Sequence, residues 1–462
     1  MKRLFYSTTA SLVLLLFMVN CDGSLVGSEN VTDPNNPSVQ QVLQGATKPE
    51  VQNVITGLEI RNRQYAGGLI PLIGSFGREV WQFDSIDGRF VTEWLGIDGN
   101  AEEDPAFFGS ADAYGTPYAA ILQSNLVIEV VDNTDVLTEN EKNGVRGFAK
   151  TIQGYQFLIP LLTQYQNGIR VDVSDPQNLG PFESFEDALA AIRVILDDGY
   201  QDLQNAGGSF FFDLSDGLAQ FSDPASMAQL NRAIAARAAI YAEDWQGALN
   251  ALSDAEPFFE LAEGETVLNK GAFLSYGEPP DIFNPLYTPR NASPDNIMVV
   301  HPSVIEDTLD GDLRIDRKFF LRDMAVNNAN VPQEANYQDN RFAGVSAPLS
   351  MIRNEELILI YAEANTQLGS AAQLVEAADA IDIVRNTWNL PDYSGAVSQP
   401  ALIDEILLQR RYSLWAEFGH RWIDMRRYDR LDEIDQNDKL TGSIFQQIAR
   451  PQSEINFEDF NQ

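Results

Sequence analysis

Aromatic side chains are unusually dense between residues 76 and 118. They fill nine of these 43 positions, against 10% of the whole sequence: Phe76, Trp81, Phe83, Phe90, Trp94, Phe107, Phe108, Tyr114 and Tyr118. The face of such a ring packs well against the apolar face of a sugar ring or a peptide side chain, and nearby polar groups can exchange hydrogen bonds with hydroxyl or amide groups. The alternative interpretation is that most of these rings belong to the core.

Candidate ligand-binding residues in this segment are the rings with polar neighbours, together with some of those neighbours. Trp81 and Trp94 each have several polar residues close by in sequence. The candidates chosen on this basis are Trp81, Phe83, Asp84, Trp94 and Asn100. We therefore expect a binding site for a sugar or a peptide in this part of the chain.

A second aromatic cluster lies in a proline-rich stretch farther along. Tyr276, Phe283 and Tyr287 stand among Pro279, Pro280, Pro285 and Pro289. Proline restricts the backbone and excludes a helix here, so the stretch is expected to be a stiff loop. Tyr276 and Tyr287 are candidates for the opposite wall of the same site.

Catalysis is not indicated by the sequence. The chain has no G-x-S-x-G, G-x-x-x-x-G-K-[ST], G-x-G-x-x-G or H-E-x-x-H motif, and two isolated histidines give little general-base capacity. Among 67 acidic residues, a pair of carboxylates near an aromatic ring is expected by chance, so a glycoside hydrolase is the least favoured alternative. We predict a non-enzymatic protein without a cofactor.

Metal and nucleic-acid binding are also disfavoured. One cysteine and two histidines exclude a Cys/His zinc site. The acids of the segment 307–316 lack the ordered spacing of a calcium loop, so a solvated turn is the better interpretation, and we predict no metal. A formal net charge of −36 would repel a phosphate backbone.

The N-terminus has the pattern of a secretory signal. Lys2 and Arg3 precede a short apolar run at 12–19, which is too short to span a bilayer as a stable helix. The only cysteine, Cys21, follows, and it resembles the acylated first residue of a mature bacterial lipoprotein, with plain secretion as the alternative. We predict a signal peptide at 1–20, lipidation of Cys21 and a flexible tether at 21–45.

Helical periodicity dominates the body predicted for residues 46–462. Amphipathic helices arrive in pairs near 117–165, 184–252 and 352–428, and the pairs resemble tetratricopeptide repeats. Capping boxes at Thr138 and Ser370 and a stop at Gly369 mark helix ends, and Pro160 is expected to bend or end its helix. The predicted fold is mostly all-α, a right-handed scaffold of such pairs with little β structure and with long irregular insertions at 66–118 and 264–350.

Several segments occur in a distinctive order along the chain. The C-terminal ones are RNEELILIYAEANTQLG at 353–369, AADAIDIVRNTWNLP at 377–391 and LLQRRYSLWAEFGHRWIDMRRY at 407–428. Others are PYAAILQSNLVIEVV at 117–131, GFAKTIQGYQFLIPLLTQYQNGI at 147–169, DLR at 312–314 and PQSEINF at 451–457. Together with Cys21, the chain resembles the SusD/RagB family of nutrient-uptake lipoproteins, although Gln409 stands where the family often has Glu.

The resemblance implies a function. It implies a lipid-anchored protein on the surface of the outer membrane, which captures an oligosaccharide or a peptide and delivers it to a SusC-like TonB-dependent transporter. It also implies a pocket on the face that meets the transporter and a hinged closure over the transporter barrel. The main alternative is a tetratricopeptide-like assembly lipoprotein that binds another protein.

The C-terminal signature itself has a structural interpretation. Basic and acidic residues are interleaved in it, and Arg forks suit bidentate carboxylate pairs. The charges concerned are those of Arg411, Glu417, Arg421, Asp424, Arg426 and Arg427. We expect them to tie helix ends and loops together rather than to bind an acidic ligand.

Overall fold

The computed structural model describes residues 42–435 and 444–461. The predicted signal peptide, Cys21 and most of the predicted tether lie outside the described residues. Within the described part, no helix combines the length and the hydrophobicity that crossing a bilayer requires. No cluster of three or more His, Cys, Asp or Glu side chains suited to a metal ion occurs in the same ranges.

Helices form most of the body. Their bounds are α1 Lys48–Asn62, α2 Ala66–Phe76, α3 Arg89–Thr92, α4 Ser110–Ala113, α5 Gly115–Asp132, α6 Glu139–Gln164, α7 Phe185–Gln204, α8 Pro224–Tyr241, α9 Trp245–Asp254, α10 Glu265–Leu268, α11 Pro302–Glu306, α12 Leu313–Lys318, α13 Asn354–Leu368, α14 Ala371–Thr387, α15 Gln399–Ser413, α16 His420–Arg427 and α17 Gln452–Asn461. The prediction of a mostly α fold built from tetratricopeptide-like pairs is confirmed.

The helix ends follow local sequence signals. Thr138 and Ser370 form the predicted capping boxes of α6 and α14, and Gly369 ends α13 in the left-handed conformation with φ 73°. Helix α6 does not end at Pro160 but continues to Gln164.

Two glycines allow α6 and α7 to pack closely. A Cβ atom on Gly147 would lie 2.4 Å from Cγ of Leu203, and one on Gly154 would lie 2.5 Å from Cδ2 of Leu196. Both glycines are seven residues apart on one face of α6, so backbone meets leucine side chains directly along this face. A bulkier residue at either position would force the two helices apart.

The β structure is confined to short strands. They are β1 Val80–Phe83, β2 Ile169–Arg170, β3 Phe182–Glu183, β4 Gly271–Leu274, β5 Ile297–Val300, β6 Phe319–Val326, β7 Ala335–Asp339 and β8 Leu349–Arg353. One sheet has the order β1-β5-β7-β6, and β2-β3 and β4-β8 form two-stranded sheets. Because β1 comes from the first predicted insertion and its sheet partners from the second, the two insertions pack together.

Most charges of the C-terminal signature form ion pairs, as the structural interpretation predicted. Arg410 and Asp424 lie 2.6 Å apart, with 1% and 3% of their side chains exposed. Glu417 lies 2.5 Å from Arg353 of β8, and Arg411 pairs with Asp307 across 2.6 Å. These pairs join α15 to α16, the loop between them to β8, and α15 to the second insertion.

Glu79 connects the first insertion to the body. Its carbonyl oxygen accepts hydrogen bonds from the backbone N–H of His301 and the indole N–H of Trp415, and its carboxylate accepts one from the N–H of Ala416. The side chain is fully buried, and burial raises the pKa of Glu79 from 4.5 to about 7. The folded protein therefore favours the protonated acid.

This carboxyl group predicts a pH dependence. The unfolded chain loses the proton near pH 4.5 and the folded chain near pH 7, so the contribution of Glu79 to stability is lost as the pH rises across that window. The variant Glu79→Gln, which is neutral at every pH, should have about the same free energy of unfolding as wild type at pH 4. At pH 8 its free energy of unfolding should be higher than that of wild type by up to about 3 kcal/mol. Urea unfolding of both proteins at several pH values measures this difference, and a difference independent of pH would contradict it.

Candidate functional site

Trp81 and Phe83 lie on β1 and are buried. Their side chains are 1% and 2% exposed, and their rings stack with centroids 5.4 Å apart. The ring of His301 meets Trp81 edge-on at 4.8 Å. Together with Val299 of β5 they belong to a small core that the two insertions share. Both side chains are closed off from solvent, which argues against direct contact with a ligand. Ligand contact through Trp81 or Phe83 stays a prediction.

Trp94 belongs to a second aromatic group and is also buried. Its indole N–H donates to the carbonyl of Phe108 at 2.9 Å, and the ring of Phe90 packs edge-on against it at 4.8 Å. Gly109, in the left-handed conformation with φ 94°, brings the backbone close to Trp94, because a Cβ there would lie 3.4 Å from the indole. Exposed Arg89 packs on the same group, because its guanidinium lies 4.1 Å from the centre of the Phe108 ring.

The polar candidates of the first insertion stabilise turns. Asp84 accepts hydrogen bonds from the backbone N–H of Ile86 at 2.7 Å and of Asp87 at 3.0 Å. Asn100 is exposed and accepts one from the N–H of Glu102 at 3.0 Å. Such side-chain to backbone bonds are those of ordinary Asx turns. A role of Asp84 or Asn100 in binding stays a prediction.

Tyr276 is buried beside a charged pair. It is 7% exposed, and the guanidinium of Arg63 lies 5.4 Å from the centre of its ring. Arg63 in turn binds the carboxylate of Asp281. Burial raises the pKa of Tyr276, so the hydroxyl stays protonated. Its ligand contact likewise stays a prediction.

Tyr287 is partly exposed, and three residues farther along the chain Arg290 contacts Phe320 and Asn340; we call these four residues the loop surface. The guanidinium of Arg290 lies 4.8 Å from the centre of the Phe320 ring, and its Nε donates to Asn340 at 2.9 Å. Phe320 lies on β6, and Asn340 follows β7. The loop surface thus combines partly exposed rings with one cation and one amide.

The proline-rich loop is held in place by hydrogen bonds to its neighbours. The backbone N–H of Asn284 donates to the carbonyl of Val345 at 2.7 Å, and its side-chain amide donates to the carbonyl of Ala347 at 2.8 Å. Gln338 of β7 donates to the carbonyl of Pro289 at 2.8 Å. These bonds fix both ends of the segment that carries Tyr287, so its surface groups are ordered before any ligand arrives.

The structure does not bring all of the sequence-predicted residues together. Among the described residues, Trp81 stacks on Phe83, whereas Trp94, Tyr276 and Tyr287 belong to separate contact groups. Arg290, Phe320 and Asn340 were missed from sequence, because they are far apart along the chain and meet only through the pairing of β6 with β7. The sequence FFLRDMAV at 319–326 does not alternate apolar and polar residues, so it gives no clear local signal of the strand.

Comparison with known proteins identifies a family model that matches part of the chain. Residues 322–460 match the model of the SusD family. The comparison with curated proteins found no match.

Solved structures share the fold over almost the whole chain. Surface glycan-binding protein A from Bacteroides thetaiotaomicron, solved in complex with laminarihexaose, is 12% identical with a TM-score of 0.69, covering 90% of this chain and 98% of that one. Surface glycan-binding protein A from Bacteroides uniformis is 14% identical with a TM-score of 0.67 over 89% and 98%. A SusD superfamily protein from Bacteroides vulgatus is 15% identical with a TM-score of 0.65 over 89% and 97%.

Proposed function

We propose that this chain is a SusD-like, non-catalytic glycan-binding protein, because residues 322–460 match the SusD family model and the fold is shared with SusD superfamily structures. The observation that carries the proposal is the fold shared over 90% of the chain with a protein solved in complex with laminarihexaose. The loop surface supports it, because partly exposed rings beside an amide and a guanidinium suit the apolar face and the hydroxyl groups of a sugar.

We further propose where the protein acts. Cys21, lipidated after removal of residues 1–20, anchors the body to the outer membrane, and two or more acyl chains give stable anchoring. The body closes over a SusC-like TonB-dependent transporter, captures the oligosaccharide and delivers it inward. Crosslinking in native membranes followed by co-purification should recover such a transporter. Recovery of an assembly complex instead would favour the protein-binding alternative.

If the loop surface binds the glycan, removal of the Tyr287 ring should lower the affinity. Tyr287→Ala should weaken the binding of the recognised hexasaccharide roughly tenfold, or by about 1.4 kcal/mol, the scale of uncovering part of one ring. Isothermal titration with laminarihexaose and with other neutral hexasaccharides measures this loss. Tyr287→Phe, which keeps the ring, should retain most of the affinity.

A matched control distinguishes the site from general loss of surface aromatics. Phe460 is 88% exposed on α17, so Phe460→Ala should leave the affinity unchanged. Wild-type affinity in both Tyr287→Ala and Arg290→Ala would remove the loop surface as the site. Preferential binding of peptides over glycans would overturn the ligand class, and cleavage of a bound glycan would overturn the non-catalytic function.

A further inference from the structure

A cavity of about 940 Å³ lies where the ends of several helices meet, and we call it the helix-end cavity. Its walls come from the C-terminal end of α6, the N-terminal part of α7, the turn between α8 and α9, and the ends of α13 and α16. None of its lining residues belongs to the segments 66–118 or 264–350. The volume lies within the range of about 300–1,000 Å³ that is typical of small-molecule sites.

Five aromatic rings line the helix-end cavity; Tyr241 is buried, and the other four are partly exposed. Tyr165 and Phe185 meet edge-on with centroids 5.3 Å apart. Tyr428 is oriented by its hydroxyl, which donates to Glu363 at 2.7 Å. Trp245 begins α9, and its indole N–H has no hydrogen-bond partner in residues 42–435 and 444–461. The cavity therefore offers oriented ring faces and, in Trp245, a donor without a partner among the described residues.

The guanidinium groups in the walls are already engaged by the protein. Arg193 pairs with Asp244, and Arg427 lies 2.7 Å from Glu363. Arg426 is 7% exposed, and its two terminal nitrogens donate to backbone carbonyls at 2.7 Å. The carboxylates of Asp244 and Glu363 offset the charges of Arg193 and Arg427, whereas Arg426 keeps its charge. The lining also carries Glu186, Glu243 and Asp429, so acidic groups outnumber basic ones around the cavity and an anionic ligand is disfavoured.

Acceptors, in contrast, are available at the rim. Glu186, Glu243 and Asp429 are exposed, and none has an ion-pair partner in the described part of the chain. Carboxylate oxygens accept the hydroxyl hydrogen bonds of a sugar. Rings for the apolar faces and acceptors for the hydroxyls are the two features that a neutral carbohydrate requires.

Local backbone geometry at the rim is unusual. Tyr165, Glu243 and Asp429 all have positive φ, of 46°, 53° and 55°. Non-glycine residues adopt this conformation at a cost. At Glu243 and Asp429 it is the left-handed residue that follows the C-cap of α8 and of α16, whereas Tyr165 directly follows the end of α6. In Tyr165 the strained residue is also a ring of the cavity, held by the guanidinium of Arg426 at 4.1 Å from its centre.

We propose that the helix-end cavity is a second binding site for a neutral oligosaccharide, separate from the loop surface. The choice of ligand class rests on the proposed function, whereas the location of the site does not. Two sites on one rigid body hold a long polysaccharide at two points, which raises its overall affinity above that of either site. A short oligosaccharide occupies the two sites independently.

Stoichiometry tests the proposal in the full chain. Titration with neutral hexasaccharides, laminarihexaose among them, should give two molecules bound per chain. Trp245→Ala should bind one, and it should bind the corresponding polysaccharide at least tenfold more weakly. The control Phe460→Ala should still bind two molecules. Trp245→Phe keeps a ring without the indole N–H and serves as a second variant. Its thermal unfolding reports whether the fold is intact.

The outcomes separate this inference from the proposed function. If wild type binds one molecule and Trp245→Ala also binds one, the second site is overturned and glycan binding stays in place. If wild type binds one molecule, Trp245→Ala binds none and Tyr287→Ala still binds one, the result supports the helix-end cavity as the site and excludes the loop surface. Binding of an oligogalacturonate or a basic peptide at the cavity overturns its neutral carbohydrate class, and no binding of any neutral hexasaccharide overturns the proposed function.

Discussion

Glu356→Ala is expected to lower the free energy of unfolding by about 3–5 kcal/mol, because it leaves a buried guanidinium without its partner. Arg237 of α8 and Glu356 of α13 are 0% and 1% exposed and form a bidentate pair, with both N–O distances 2.6 Å. Arg237 also donates to the carbonyl of Met351 at 2.8 Å. Urea unfolding followed by circular dichroism measures the loss.

An exposed ion pair provides the control. Glu265 and Arg317 lie 3.0 Å apart with 42% and 60% of their side chains exposed, so Glu265→Ala should change the free energy by less than about 1 kcal/mol. Replacing the whole buried pair, as Arg237→Met with Glu356→Leu, should recover much of the stability that Glu356→Ala loses. Similar small effects of Glu356→Ala and Glu265→Ala would contradict this account of the buried pair.

The helical frame was predictable because its signals are local. A capping box needs only two side chains three residues apart, as at Thr138 and Ser370, and a left-handed stop such as Gly369 is encoded in one residue. The interleaved charges of the C-terminal signature were also informative, since most of them find partners within the body. Neither inference requires knowledge of which distant segments meet.

Gln409 illustrates how a departure from the family pattern can have a local cause. Its side chain is buried and donates to Glu405 at 2.7 Å, and Glu405 also pairs with Arg385. A glutamate at position 409 would place a second carboxylate beside Glu405, whereas the amide supplies a donor. The substitution therefore bears on the packing of α15 and not on the loop surface.

The candidate site was harder to predict, because aromatic density in a sequence does not distinguish a core from a binding surface. Trp81 and Phe83 are buried only because β1 pairs with β5, which comes from the other insertion. Arg290 and Phe320 meet at the surface for the same kind of non-local reason. The sequence indicated aromatic-rich segments, but which ring faces are open depends on strand pairing across the two insertions.

Trp81→Ala is accordingly expected to lower stability by about 3–5 kcal/mol, the usual cost of truncating a buried large aromatic residue. The ring is 1% exposed and packs on Phe83 and against Val299 in the small core between the insertions. Amide hydrogen exchange should therefore accelerate more in β1 and β5 than in α13. Partly exposed Trp245 is the matched control, since Trp245→Ala should cost less than about 1.5 kcal/mol. Trp81→Phe keeps most of the packing, so tenfold weaker glycan binding by a stably folded Trp81→Phe would show that Trp81 contacts ligand as well as core.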